Sequence, residues 1–151
     1  MITKLENMNK DVADKIYTVF QNSYQVEAQL IGTLNFPPLS RGVKDIENSI
    51  NEFYGFIVDG CLAAVVEIAM ENKHLEINSL TVDPKYFRKG IASKLISFIL
   101  NGFDATIITV ETAVVNEPAI ILYKKHGFVE FKRWTPSHGI EKLAMSVENA
   151  L

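Results

Sequence analysis

Residues 80–93 read LTVDPKYFRKGIAS and join a strand to a helix through a turn of small and basic residues. The strand ends before Pro84, and the spacing of Ile91, Leu95 and Ile99 marks the helix that follows. A helix start presents free backbone N–H groups and the positive end of the helix dipole. The segment therefore predicts an anion site that suits a pyrophosphate.

The strand that enters this turn carries a break in its alternation of apolar residues. Leu75 and Ile77 share one side, whereas Leu80 falls on the other. A β-bulge inserts one extra residue into a strand and absorbs such a slip. We therefore expect a bulge near Asn78-Ser79.

The remaining periodicity divides the chain into helices and strands. Two amphipathic helices are expected around residues 12–20 and 43–50, and Asp59-Gly60 predicts a hairpin turn. With residues 2–5 as a first strand, the predicted order is βααβββαβαββ. The other strands are expected at 53–58, 62–70, 74–82, 106–112, 128–134 and 140–147, and the later helices at 91–102 and 117–125.

A second segment, residues 116–128, reads NEPAIILYKKHGF and contains the pattern N-x-x-A-x-x-x-Y-x-x-x-G-F. Together with residues 80–93 it resembles the two signature segments of the GNAT N-acetyltransferases, and the resemblance runs from about residue 53 to 134. It implies an α/β fold with a mixed, mostly antiparallel sheet, opened into a V by the bulged strand and flanked by helices on both faces. We expect one such domain over residues 1–151.

The resemblance implies acetyl-coenzyme A as cosubstrate. The edge of the bulged strand is expected to bind the pantetheine arm, the turn to bind the phosphates, and the second segment to hold the far side of the coenzyme. Phe87 stands where the family usually has Gln or Arg, and Arg88 is expected to substitute for it. The expected coenzyme-binding residues are Leu80, Thr81, Val82, Arg88, Lys89, Gly90, Ile91, Ala92, Ser93, Asn116 and Tyr123.

One candidate proton donor and three candidate bases follow from the same resemblance. Tyr123 lies where the family places a tyrosine that protonates the departing thiolate, although it also suits a half-buried helix tyrosine that packs its ring. Glu76 is the first candidate for the general base that accepts the amine proton through water, and its alternative is a solvent-facing strand position. Glu111 competes for that role, and Glu67 is a weaker third option.

Other residues carry less specific signals. His126 precedes a helix-ending glycine and suits a capping role, whereas His138 lies in a turn-rich loop that borders the acceptor side. Residues 36–39, FPPL, are expected to give the acceptor pocket a rigid apolar wall. No His, Cys or Asp grouping has metal-ligand spacing, so no metal is expected. Cys61 is the only cysteine and sits in an apolar stretch, which favours a buried thiol.

Composition excludes several classes of protein. The formal charge of -3 and the scattered basic pairs argue against broad nucleic-acid binding. The sequence has no apolar run long enough to span a bilayer and no signal-peptide pattern, so a cytoplasmic protein without a membrane partner is expected. The oligomeric state stays open, and a homodimer is compatible with the sequence.

The predicted function is direct, sequential transfer of an acetyl group from acetyl-coenzyme A to a primary amine, carried by a small molecule or a peptide. Two alternatives remain. A non-catalytic acyl-coenzyme A sensor would keep the phosphate turn and need no base. A nucleotide-binding domain that only mimics the turn would bind ATP and ignore coenzyme A.

Overall fold

A computed structural model describes residues 1–33 and 35–149. Over these residues the chain forms seven strands and four helices, in the predicted order βααβββαβαββ. The expected domain of residues 1–151 also includes Leu34, Ala150 and Leu151, which lie outside the described residues. In chain order the elements are β1 (Ile2–Leu5), α1 (Lys10–Ile31), α2 (Val43–Glu47), β2 (Glu52–Val58), β3 (Cys61–Glu71), β4 (His74–Val82), α3 (Ile91–Gly102), β5 (Ile107–Ala113), α4 (Glu117–Lys125), β6 (Val129–Trp134) and β7 (Lys142–Glu148).

The described strands form one sheet in the order β1-β2-β3-β4-β5-β7-β6. Every neighbouring pair is antiparallel except β4 and β5, which are parallel. These two strands pair only through residues 74–77 and 107–110, and among the described residues no further pairs join them. The sheet therefore opens into a V beyond Ile77, and the predicted fold class is confirmed.

Helices cover both faces of the sheet. On one face α3 and α4 pack against β3, β4 and β5 around the fully buried Leu75, Leu95 and Ile108. On the other face α1 and α2 pack against β2 and β3 around Phe20 and Phe53. Burying each such side chain contributes about 1.5–3 kcal/mol, so the two apolar layers fix the helices on the sheet.

The predicted bulge lies in β4. Glu67 of β3 faces Ser79, and the next pair joins Ile68 to Ile77, so Asn78 is the extra residue. The extra residue brings Leu80 onto the face of β4 that already carries Ile77, which explains the slip in the sequence pattern. The bulge also coincides with the point at which β4 leaves β5.

A buried carboxylate on the neighbouring strand, Glu67 of β3, is hydrogen-bonded to the bulge. Glu67 accepts hydrogen bonds from Arg41 Nη1 at 2.6 Å and Nη2 at 2.9 Å, from Asn51 Nδ2 at 2.9 Å and from Ser79 Oγ at 3.1 Å. Arg41 also lies over the rings of Phe20 and Phe53. The ion pair thus links the loop after α1 to β3, and the Ser79 hydrogen bond extends the link to the bulged strand β4.

Three expectations from the sequence need correction. The first helix is longer than residues 12–20 and ends only at Gly32, which adopts the left-handed φ of 85° typical of a helix stop. The second helix is short, and Ile50, expected on its apolar face, is 94% exposed beyond its end. Cys61 is exposed because it directly follows the hairpin turn, where Asp59 and Gly60 adopt the predicted positive φ values.

None of the helices in the described ranges has both the length and the apolar character needed to cross a membrane.

Arg41→Ala should lower the free energy of unfolding by about 3 kcal/mol, because it leaves the Glu67 charge buried without its cation. Urea denaturation followed by circular dichroism measures the change. Arg133→Ala is the matched control, since Arg133 makes a comparable two-point pair with Glu130 on the exposed surface. Equal effects of the two substitutions would contradict a special role for the Arg41–Glu67 pair.

Candidate active site

A cavity of about 300 Å³, here called the central cavity, fills the opening of the V. Its walls come from residues 77–80 of β4 and 110–113 of β5, which start at the last pair between the two strands, Ile77 with Val110, and continue where they no longer pair. Helices α1 and α4 and the loop before β7 close the remaining sides. Beyond Ile77 the edge of β4 that faces β5 has no strand partner, so its main-chain groups are available to a ligand.

A second cavity of about 260 Å³, here called the turn groove, adjoins the first. It is lined by residues 86–93 and by Leu80, Val82, Ser23 and Leu122. Leu80 lines both cavities, so they meet at β4. The two together form an elongated site that runs from the start of α3 to the opening of the V.

The turn groove has the backbone conformation of an anion site. Gly90 adopts a φ of 73°, and a Cβ built on it meets no atom within 4 Å, so the space before it is open. Arg88 also has a positive φ, 63°, which is strained for a residue other than glycine. The first N–H groups of α3 have no partner within the helix, and the residues that carry them, 91–93, line this groove. These features fit a pyrophosphate, as the sequence predicts.

The residues expected to bind coenzyme lie along this site with one exception. Leu80 and Val82 line the groove beside β4, and Arg88, Lys89, Gly90, Ile91, Ala92 and Ser93 line the turn. The side chain of Thr81 is buried on the opposite face, where its hydroxyl donates to Val65 O at 3.3 Å. The side chain of Thr81 therefore does not reach the site, and the coenzyme contacts themselves stay predictions.

Phe87 exposes 43% of its surface at the rim of the turn groove. The polar side chain that the family usually has at this position is therefore replaced by an aromatic face. Arg88 and Lys89 lie beside it in the same groove and supply positive charge. We expect Arg88 to replace the missing polar group. The position of its backbone in the same groove is compatible with that role.

Tyr123 lies at the wall of the central cavity, on α4. Its ring packs against Phe128 with centroids 5.3 Å apart, and the residue is 5% exposed. Burial, together with the negative charge of Glu27, raises the pKa of the Tyr123 phenol well above its ordinary value. The phenol therefore stays protonated at neutral pH, the state that a proton donor needs.

The three carboxylates considered as bases from the sequence have different surroundings. Glu76 is exposed and lines neither cavity. Glu111 lines the central cavity, where its Oε1 pairs with Lys142 Nζ at 2.9 Å. Glu67 is buried in the bulge network and holds four hydrogen bonds. The structure brings only Glu111 to the cavity wall beside Tyr123, and each catalytic role stays a prediction.

Glu27 is a cavity carboxylate that the sequence did not reveal. It is half-buried on α1 and lines the central cavity. Asn116 Nδ2 donates to Glu27 Oε2 at 3.0 Å, while Asn116 Oδ1 caps α4 by accepting from Ala119 N at 3.4 Å. Burial raises the pKa of the Glu27 carboxyl, whereas the Asn116 hydrogen bond and the Lys142 charge act against it. The only available signal was its helical spacing from Tyr24, another cavity residue.

The opposite wall of the central cavity is apolar. Phe36, Pro37 and Pro38 line it, as expected from the FPPL segment. Tyr24 lies beside them, and burial raises the pKa of its phenol to about 12. His138 is exposed at the mouth of the cavity, where its Nδ1 accepts from Ile140 N at 3.1 Å.

His126 caps α4, as expected, and its Nε2 lies 3.2 Å from Ser93 Oγ. Burial lowers its pKa. Across residues 1–33 and 35–149, no three His, Cys, Asp or Glu side chains are grouped closely enough to hold a metal ion.

Comparison with known proteins agrees with this architecture. Residues 13–128 match the family model described as Acetyltransferase (GNAT) family. The UPF0157 protein YqkA of Bacillus subtilis is 34% identical over 141 residues, which cover 93% of this chain and 41% of that protein. The chain thus spans less than half of the length of this relative.

Two further proteins are informative. The N-alpha-acetyltransferase RimI of Mycobacterium tuberculosis is 26% identical over 113 residues, covering 72% of this chain and 71% of that protein. The structure of the PaiA N-acetyltransferase of Thermoplasma acidophilum in complex with coenzyme A superposes with a TM-score of 0.76, at 16% identity, over 98% of this chain and 99% of that chain. At this identity the superposition shows a common fold.

Arg88→Gly should relieve the strained φ of residue 88 yet weaken binding of free coenzyme A by about 10-fold, because a charged partner for phosphate is lost. Isothermal titration calorimetry measures the dissociation constant, and thermal unfolding measures stability. Asp59→Gly is the matched control, since it relieves a similar φ of 48° in a hairpin turn that lines neither cavity. Unchanged coenzyme A affinity in Arg88→Gly would show that the Arg88 side chain does not contact the phosphates.

Proposed function

We propose that this chain, which belongs to the GNAT acetyltransferase family, is an N-acetyltransferase that moves an acetyl group from acetyl-coenzyme A directly to a primary amine. The observation that carries the proposal is the position of Tyr123, a buried and protonated phenol at the wall of the cavity between the diverging strands. A sensor of acyl-coenzyme A would need the groove but no proton donor inside it.

The turn groove supports the proposed binding of acetyl-coenzyme A. The open N–H groups at the start of α3 and the basic residues Arg88 and Lys89 suit the phosphates. The unpaired edge of β4 runs from that groove into the central cavity and suits the amide-bearing pantetheine arm. An arm laid along this edge would bring the thioester towards Tyr123.

In the proposed reaction the amine nitrogen attacks the thioester carbonyl while both substrates are bound. Main-chain N–H groups of β4 would stabilise the negative charge that develops on the carbonyl oxygen. Tyr123 would give its proton to the departing thiolate. Of the two carboxylates predicted as bases, Glu111 lines the cavity and Glu76 does not, which disfavours Glu76 as the group that accepts the amine proton.

We propose the α-amino group of a peptide as the acceptor. The relative RimI of Mycobacterium tuberculosis is named an N-alpha-acetyltransferase, which supports this class. Chemistry supports it too, because an α-amine has a pKa of about 8 and a lysine side chain about 10.4. A far larger fraction of an α-amine is neutral at pH 7, so less work is left for a base. The mouth of the cavity between Pro38 and His138 would admit the chain terminus.

Tyr123→Phe should lower kcat by about 100-fold or more without changing the affinity for acetyl-coenzyme A, because only the proton donor is removed. Release of free thiol, measured with a panel of short peptides that differ in their N-terminal residue, reports turnover, and calorimetry reports affinity. Tyr54→Phe is the control, since Tyr54 packs against Phe98 and Phe103 and lines neither cavity.

Two outcomes would count against the proposal. A wild-type protein that binds acetyl-coenzyme A but acetylates no peptide or other amine would favour the sensor. Full activity in Tyr123→Phe would leave acetyl transfer in place and remove Tyr123 from the mechanism.

A further inference from the structure

We propose that Glu27 binds the acceptor ammonium group and removes its proton, an inference that rests on the proposed N-acetyltransferase activity. Glu27 is a carboxylate of α1, a helix that the sequence did not connect with the chemistry. Three features of its surroundings carry the proposal: its fixed position, the lack of a paired cation among the described residues, and the apolar residues that line the same cavity.

The position of Glu27 is fixed by the helix that carries the proton donor. Asn116 donates to Glu27 Oε2 and at the same time caps α4 through Ala119 N. Tyr123 lies on α4 and lines the same cavity as Glu27. The negative charge of Glu27 acts on the Tyr123 phenol, so the two groups are close enough to interact. One asparagine therefore sets the carboxylate and the phenol relative to each other.

In the described part of the chain no cation lies within ion-pair distance of Glu27, and the charge of Lys142 acts on it only from farther away. Within residues 1–33 and 35–149, Glu27 is in no salt bridge, and its Oε1 accepts no hydrogen bond. The other cavity carboxylate, Glu111, is paired with Lys142. Glu67 is saturated by Arg41, Asn51 and Ser79. An incoming ammonium ion would thus meet an unpaired negative charge at Glu27 and an existing cation at Glu111.

The residues around Glu27 also favour an acceptor whose ammonium group is attached to an apolar carbon. Phe36, Pro37 and Pro38 line the same cavity, and this apolar surface suits the side chain or backbone carbon next to the amine. The titratable groups that share the cavity with Glu27 are Tyr24 on its own helix, Tyr123 on α4, Glu111 on β5, Lys142 on β7 and His138 in the loop before β7. Lys142 is the one permanently charged cation among them.

The proton balance of the step is complete. The ammonium group gives one proton to the Glu27 carboxylate, which later releases it to solvent, and the neutral nitrogen then forms the N–C bond to the acetyl carbon. The C–S bond breaks, and the thiolate takes the proton of Tyr123. The second proton lost by the nitrogen restores the phenol. A half-buried carboxyl whose pKa lies above the ordinary value is a stronger base than a free one.

Glu27→Gln is the test, because glutamine keeps an oxygen that can accept from Asn116 and removes only the charge. At pH 7 its kcat/KM for a peptide with a free α-amine that the wild type acetylates should fall about 100-fold, the low end of what a general base contributes. The deficit should shrink towards pH 9, where an α-amine with a pKa of about 8 is already neutral in solution. The affinity for acetyl-coenzyme A, measured by calorimetry, should stay unchanged.

Two companion variants complete the experiment. Asp14→Asn removes a carboxylate from the exposed side of the same helix and should leave the pH profile of the wild type intact. Glu27→Asp keeps the charge and should recover part of the activity at pH 7, whereas a purely structural role would make it as damaging as Glu27→Gln.

The results separate this inference from the function on which it rests. Wild-type activity in Glu27→Gln, or a loss of equal size at pH 7 and pH 9, overturns the role of Glu27 and leaves the acetyltransferase proposal standing. A wild-type protein that acetylates no amine overturns both.

Discussion

The single residue inserted into β4 at Asn78 is the constraint on which the site depends. Without it β4 and β5 would continue as paired parallel strands beyond Ile77, and neither the open strand edge nor the central cavity would exist. A bulge leaves backbone groups unpaired, so it must be supported by its surroundings. Glu67 supplies that support from β3 through the hydroxyl of Ser79.

The Glu67 carboxylate also connects the loop that borders the apolar wall with the edge of β4. Its bonds to Arg41 reach the loop that follows the apolar wall of Pro37 and Pro38, and its bond to Ser79 reaches the edge of β4. An ion pair of this kind is costly to break, because the remaining charge is buried alone. The apolar wall and the open edge of β4 are therefore held by one network, and a second link, Glu27–Asn116, joins α1 to α4 across the cavity.

Most of the fold could be predicted from the sequence because the strongest signals in the sequence are local. The slip of the apolar phase in β4, the Asp59-Gly60 turn and the glycine at the start of α3 each act over a few residues. The place of Glu27 in the cavity could not be predicted, because it depends on a contact with Asn116, a residue 89 positions away in the chain. Nor did periodicity reveal that Glu76 would be exposed outside the cavity, because the facing of a strand residue next to a bulge depends on the register with β3 and β5.

The most direct test of this account is a thermal-shift titration of the protein with acetyl-coenzyme A, free coenzyme A and ATP. A ligand present at about 100 times its dissociation constant stabilises the folded state by roughly 2.7 kcal/mol. The account predicts stabilisation by both coenzymes and little by ATP, because the pantetheine arm alone reaches the open edge of β4. Stabilisation by ATP equal to that by the coenzymes, or by neither coenzyme, would contradict it.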